Sequence, residues 1–116
     1  MAPRANGSMP KNARRYDLFL PVNFNDGRLV PKKFFDSLEL RLLTRFKGFT
    51  AQRREFPFRG IWQGKLRIHV DRVIIVTIFD FRRHGSARFL AALKRDLLDQ
   101  FEQEEILLTE VATRIH

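Results

Sequence analysis

Two pairs of ligand-type residues stand out in the chain. His69 and Asp71 lie two residues apart, and Asp80 and His84 lie four apart in the following connection. Two imidazoles and two carboxylates are donors enough for a divalent metal. The reading of the elements below puts Asp71 and Asp80 at opposite ends of one strand, so solvated turn residues explain them better. Arg82 and Arg83 stand with His84 just ahead of a helix, where free N–H groups and partial positive charge suit a phosphate or carboxylate. Ordinary solvated arginines fit the same residues. Gly60-Ile-Trp-Gln-Gly64 sets two glycines around the only tryptophan, Trp62. That spacing fits close backbone approach beside an aromatic anchor, or a loop with a packed indole. The chain has no H-E-x-x-H, no G-x-G-x-x-G, no Walker loop and no G-x-S-x-G elbow. It also has no cysteine, which excludes disulfides, thiolate metal sites and a thiol nucleophile. The sequence thus predicts no catalytic residue, no metal ligand and no cofactor.

The basic side chains are unevenly spread. The net charge is +2 over residues 1–27, +12 over 28–95 and −5 over 96–116, within a total of +9. A basic middle suits a nucleic acid or another polyanion, through Arg53, Arg54, Arg59, Lys65, Arg67, Arg82 and Arg83. The acidic end offers a second explanation, attraction between the two ends within or between chains. Twelve Phe against one Tyr and one Trp point to core or interface more than to polar recognition. No apolar run approaches membrane-spanning length and the first fifteen residues lack a signal-peptide stretch, so no membrane contact and a cytoplasmic location are expected.

The elements that would hold these residues follow from periodicity. Residues 1–15 read as a disordered basic leader, and 16–116 as one α+β domain. Residues 16–22 alternate as a first strand, with Tyr16, Leu18, Leu20 and Val22 on one face and Phe19 on the other. Residues 31–47 carry a helical stripe of Phe34, Phe35, Leu38, Leu42, Leu43 and Phe46, opened by Pro31 and capped by Gly48. Residues 49–61 read as a long connection, with a short extended piece at 55–58. A strand over 62–70, a tight turn at Asp71-Arg72 and a strand over 73–79 follow. A second helix from the N-cap Ser86 to about 102 shows Phe89, Leu90, Leu93, Leu97 and Phe101 as its stripe. A last strand runs from 105 to about 114.

The order βαββαβ, with right-handed crossovers, predicts a ferredoxin-like split βαβ fold. Two helices would cover one face of a four-stranded antiparallel sheet, with the first and third strands central. The third strand is apolar on both faces: Val73, Ile75 and Phe79 on one, Ile74, Val76 and Ile78 on the other. Helices can cover only one of them. A bare apolar face marks a contact, and a second copy of the chain is its simplest cover. Phe19, Val73, Ile75, Phe79 and Trp62 are the residues expected to self-associate in a homodimer. The rival is the 49–61 connection folding back with Phe49, Phe56 and Phe58. The strand lacks the aromatic pattern that stacks RNA bases on this fold.

The stretch 60–64, with Val70-Asp-Arg-Val73 and Gln103-Glu-Glu-Ile-Leu-Leu108, resembles a family of small uncharacterised prokaryotic proteins. The resemblance covers most of the chain beyond the leader and implies a prokaryotic origin, but no activity and no residue role. On these grounds the chain is expected to be a non-enzymatic, self-associating interaction or scaffold module. The alternatives are salt-dependent polyanion binding through the basic middle, or a small-anion-binding enzyme or regulator with its site at a subunit interface.

Overall fold

The structure is a computed structural model and describes residues 9–116. Along the chain run β1 (Lys11–Pro21), α1 (Lys32–Phe46), β2 (Thr50–Ala51), β3 (Phe58–Gln63), β4 (Ile68–Asp80), α2 (Ala87–Gln100) and β5 (Leu108–Ile115). β4 is the spine. Its β-branched run suits a strand flanked on both edges, and β1 pairs with it antiparallel from Arg14↔Asp80 to Pro21↔Val73. β5 lies antiparallel on the far side of β1. On the other edge of β4, β2 pairs with Val76 and Thr77 while β3 pairs from Val73 outward to Ile68.

Both helices lie on one face. Tyr16, Leu18, Leu20, Ile74, Val76 and Ile78 point to them and are buried with Phe35, Leu38, Leu42, Leu90, Leu93 and Leu97. Phe101 closes the bottom of this layer with no exposed surface, edge-on to Phe35 at 5.3 Å between ring centroids. This is the ferredoxin-like split βαβ arrangement, with β1 and β4 central as the order of elements predicts. Among the described residues no helix is long and apolar enough to cross a membrane.

The structure also fixes which face is open. Val73, Ile75 and Phe79 point away from the helices, with Phe19 opposite Ile75. The 49–61 segment does not fold over them. It runs along the edge of β4 as β2 and β3, and leaves Phe56 and Phe58 exposed. The rival reading, cover by this connection, is not what forms: the unpaired edge of β4 offers it backbone hydrogen bonds that the open face does not.

Other boundaries move for local reasons. β1 begins at Lys11, so residues 11–15 belong to the sheet and not to a leader, because β5 offers partners as far as Lys11↔Ile115. Residues 1–8 of that expected leader lie outside the described residues. The hairpin turn falls at residues 64–67, closed by the Gly64 N–H donating to the Arg67 carbonyl at 2.9 Å. Asp71 and Arg72 lie inside β4. They looked like a turn because they are polar between two apolar runs, yet both faces of the hairpin there meet water. Gly64 is required by close approach, since a Cβ would sit 2.9 Å from the Arg67 backbone carbonyl oxygen. At the end of α1, Lys47 and not Gly48 takes the left-handed conformation (φ 67°), with its N–H bonded to the Leu43 carbonyl.

Phe101→Ala should destabilise the chain by about 3–5 kcal/mol, the usual cost of emptying a fully buried aromatic site. Chemical denaturation would show it as a lower midpoint at unchanged slope.

Candidate functional site

β4 ends on Asp80, which is 1% exposed. The strand is too apolar to end in water here, and the next residues turn back toward α2. One carboxylate oxygen, Oδ1, accepts the Arg82 backbone N–H at 3.0 Å and so closes that turn. The Arg82 guanidinium stands 3.6 Å from the same oxygen. The other oxygen, Oδ2, is buried without a hydrogen-bond partner. Leaving a buried carboxylate oxygen unpaired is costly, so the turn explains half of this side chain and leaves the other half for something else.

Asp80 lines a cavity of about 470 Å³ where the start of β1, the end of β4 and the end of β5 meet. Asn12, Ala13, Arg14, Phe81, Arg82, Arg83, Ala112 and Thr113 complete it. Its size is in the ordinary range for small-molecule sites. Arg14 is the cross-strand partner of Asp80. Its guanidinium lies against Gly85, whose φ of 70° and lack of a Cβ leave it the room. Arg82 is anchored by donating to the Arg45 carbonyl at 2.7 Å, and lies over the Phe46 ring. The expected N-cap Ser86 makes no capping bond; its hydroxyl accepts the Arg45 guanidinium instead, at 3.0 and 3.3 Å. Arginines therefore hold the 80–86 turn from both sides, and the Asp80 carboxylate lies buried in the wall of the cavity. The arrangement offers an acceptor for a donor or cation, Asp80, and guanidinium groups for an anion, of which that of Arg82 is 3.6 Å from the carboxylate.

Tyr16, two residues along β1 from Arg14, is buried beneath this corner. Burial, then the Glu110 carboxylate opposite it on β5, then the charge of Asp80 push its phenol up to about 12, against a smaller pull from Arg14.

The basic residues singled out in the sequence do not converge. Arg82 and Arg83 reach the Asp80 cavity. Arg53 and Arg54 line a second cavity, of about 430 Å³, beside the start of α1. There Arg54 donates to the Val30 carbonyl and lies over Phe35, and Lys32 is paired with Asp36. Arg59, Lys65 and Arg67 lie on the β3–β4 hairpin at the far end of the sheet. His69 and Asp71 are on that hairpin too, a strand's length from Asp80 and His84. Among the described residues no three His, Asp or Glu side chains come together to hold a metal. From the sequence Asp80 reads as a metal ligand or a solvated turn residue, and nothing there joins Arg14 and Tyr16 to it. The i to i+2 spacing of Asp80 and Arg82 is a turn signal, but burial of a strand-terminal Asp depends on β1 and β5.

No protein-family model matches this chain, and no curated protein matches it. Of the resemblance to uncharacterised prokaryotic proteins, the ferredoxin-like fold is shown by the structure and no family is shown. Among solved structures, a phage SAM lyase in complex with S-methyl-5'-thioadenosine has a TM-score of 0.62 and 15% sequence identity, over 97% of this chain and 95% of that chain. The shared property at this identity is the fold. The likeness nonetheless corrects the expectation of a non-enzymatic scaffold. That expectation took the lack of recognisable motifs as a lack of chemistry, whereas a chain of this fold and nearly this extent is an enzyme that holds a small ligand.

The single tyrosine makes the corner measurable. Phenolate absorbance should titrate near pH 12 in the folded chain against 10.0 for an unperturbed phenol. The folded state favours the protonated form. Stability from this group is therefore full below pH 10 and is lost as pH rises from 10 toward 12. Glu110→Gln should move the midpoint down; an unperturbed midpoint in the folded wild type would contradict the geometry.

Proposed function

We propose that this chain is an enzyme whose substrate is a small sulfonium nucleoside of the SAM type, bound in the Asp80 cavity. The carrying observation is the buried Asp80 carboxylate, with one oxygen unpartnered, in a cavity rimmed by Arg14, Arg82 and Arg83. The fold shared with a SAM lyase supports the choice of substrate class. A sulfonium nucleoside that carries an amino acid has three features to recognise: an ammonium, a carboxylate and a flat base. Asp80 Oδ2 accepts from the ammonium, Arg14 and Arg83 take the carboxylate, and the exposed ring of Phe81 packs on the base.

The roles follow from how charge moves. As the substrate's own carboxylate oxygen bonds to the amino-acid carbon and closes a lactone, the bond from that carbon to sulfur breaks and leaves its electron pair on sulfur, so the sulfonium becomes a neutral thioether, the class to which S-methyl-5'-thioadenosine belongs. A carboxylate against the sulfur would stabilise the charged reactant more than the transition state and would slow the step. Asp80 therefore serves the ammonium, and the sulfur lies toward Ala13, Phe81 and Ala112, where a charged sulfonium is poorly solvated.

The acting unit is a cytoplasmic homodimer in this proposal. Its support is the open sheet face, where Phe19, Val73, Ile75 and Phe79 lie without a covering layer.

Incubation with SAM followed by chromatography should show release of S-methyl-5'-thioadenosine. Asp80→Asn should lower kcat/KM by roughly 10² to 10³, as for loss of one charged partner in a buried site. Arg83→Ala should act mainly through KM. Absence of both turnover and calorimetric binding of either nucleoside by the wild type would overturn the proposal.

A further inference from the structure

β3 and the first half of β4 form a hairpin that stands clear of both helices, in a molecule 51 Å long and 28 Å across. Six large apolar side chains lie on it: Phe58, Ile61, Trp62, Leu66, Ile68 and Val70. Each is between 46% and 99% exposed, with Leu66 at the tip the most. Opposite partners in an antiparallel pair share a face. Ile61 with Val70 therefore faces one way, and Trp62 with His69, and Phe58 with Val73, the other. The arm is apolar on both sides. A two-stranded ribbon is marginal alone in water, and this one exposes the kind of side chains that elsewhere form cores.

We propose that the arm docks on a second copy of the chain, against the outer edge of β5 and the acidic segment leading into it. This rests on the homodimer in the reading above and names its surfaces. Charge selects the partner: residues 58–72 carry net +3, and residues 96–116 carry net −5. Edges select the mode. Within the chain β3 pairs only with β4, and β5 only with β1, so each leaves a row of backbone N–H and C=O groups free. Such edges add to one another as a continued sheet. Area selects a protein over a nucleic acid. The six side chains expose on the order of 700 Å², close to the roughly 800 Å² that each partner buries in a stable interface. Phosphates would answer the arginines but not Ile61, Ile68 and Val70. Trp62, lying along Gly60, where a Cβ would come within 3.2 Å of the indole, carries the contact onto the open face. In a two-fold pair each chain gives one arm and receives one.

Sedimentation equilibrium of the full chain tests this, with ligand binding measured on the same samples. The wild type should exceed its single-chain mass of 13.8 kDa at micromolar concentration. Ile61→Ser with Val70→Ser should weaken association at least 100-fold while far-UV circular dichroism stays unchanged. Arg67→Glu keeps the apolar arm intact and should weaken it about tenfold; adding Glu104→Lys should restore it. A wild type that stays monomeric would overturn the arm and the homodimer together, whether or not it binds duplex DNA. A dimer indifferent to the arm variants but broken by Ile75→Lys would overturn the arm alone. Loss of SAM binding in a chain that still dimerises would count against the Asp80 site and not the arm.

Discussion

β4 organises the sheet of this molecule: β1, β2 and β3 pair with it directly, and β5 joins through β1. Thirteen residues at about 3.3 Å each make it roughly 40 Å long. The two helices are shorter than that, so they cover its second half on one face only. This mismatch between one long strand and two short helices is the constraint on which the rest depends. Where the helices lie, alternate side chains of β4 are core. Where they do not, the same alternation leaves apolar groups without a covering layer.

The two ends of β4 acquire opposite characters for that reason. At its end, three strands and the α2 turn converge, and Asp80 becomes buried among arginines. At its start there is only β3 for company, and the hairpin is exposed on both faces. The chemistry and the apolar surface are thus separated along one element. A ligand at Asp80 and a partner on the arm need not compete for the same residues.

Arginine serves as structure at the Asp80 corner. Arg45 bonds the Ser86 hydroxyl and Arg82 bonds the Arg45 carbonyl. Each guanidinium also lies over a ring, Phe89 for Arg45 and Phe46 for Arg82. These contacts hold the turn without capping α2. Fixed donors of this kind pre-organise a site, since they are already oriented when a ligand arrives. The net positive charge of the middle of the chain is partly spent in this way, which is why it makes no single patch.

Much of the fold was legible in the residues. The stripes Phe35-Leu38-Leu42-Phe46 and Leu90-Leu93-Leu97-Phe101 report helices because burial on one side leaves a period of 3.6. The double-faced run from Val73 to Phe79 reports an interior strand. Local periodicity together with the order of elements was enough for the split βαβ arrangement, and for a face left open. It was not enough for the turn at 64–67, because exposed hairpin positions accept Asp71 and Arg72 as readily as any turn does. Nor did it reveal the site. Asp80 is an ordinary turn aspartate until β1 and β5 bury it, and Arg14 is sixty-six positions away from it in the chain. What decides a binding corner is the burial of a charge beside others distant in sequence, and only the tertiary pairing of strands brings those charges together.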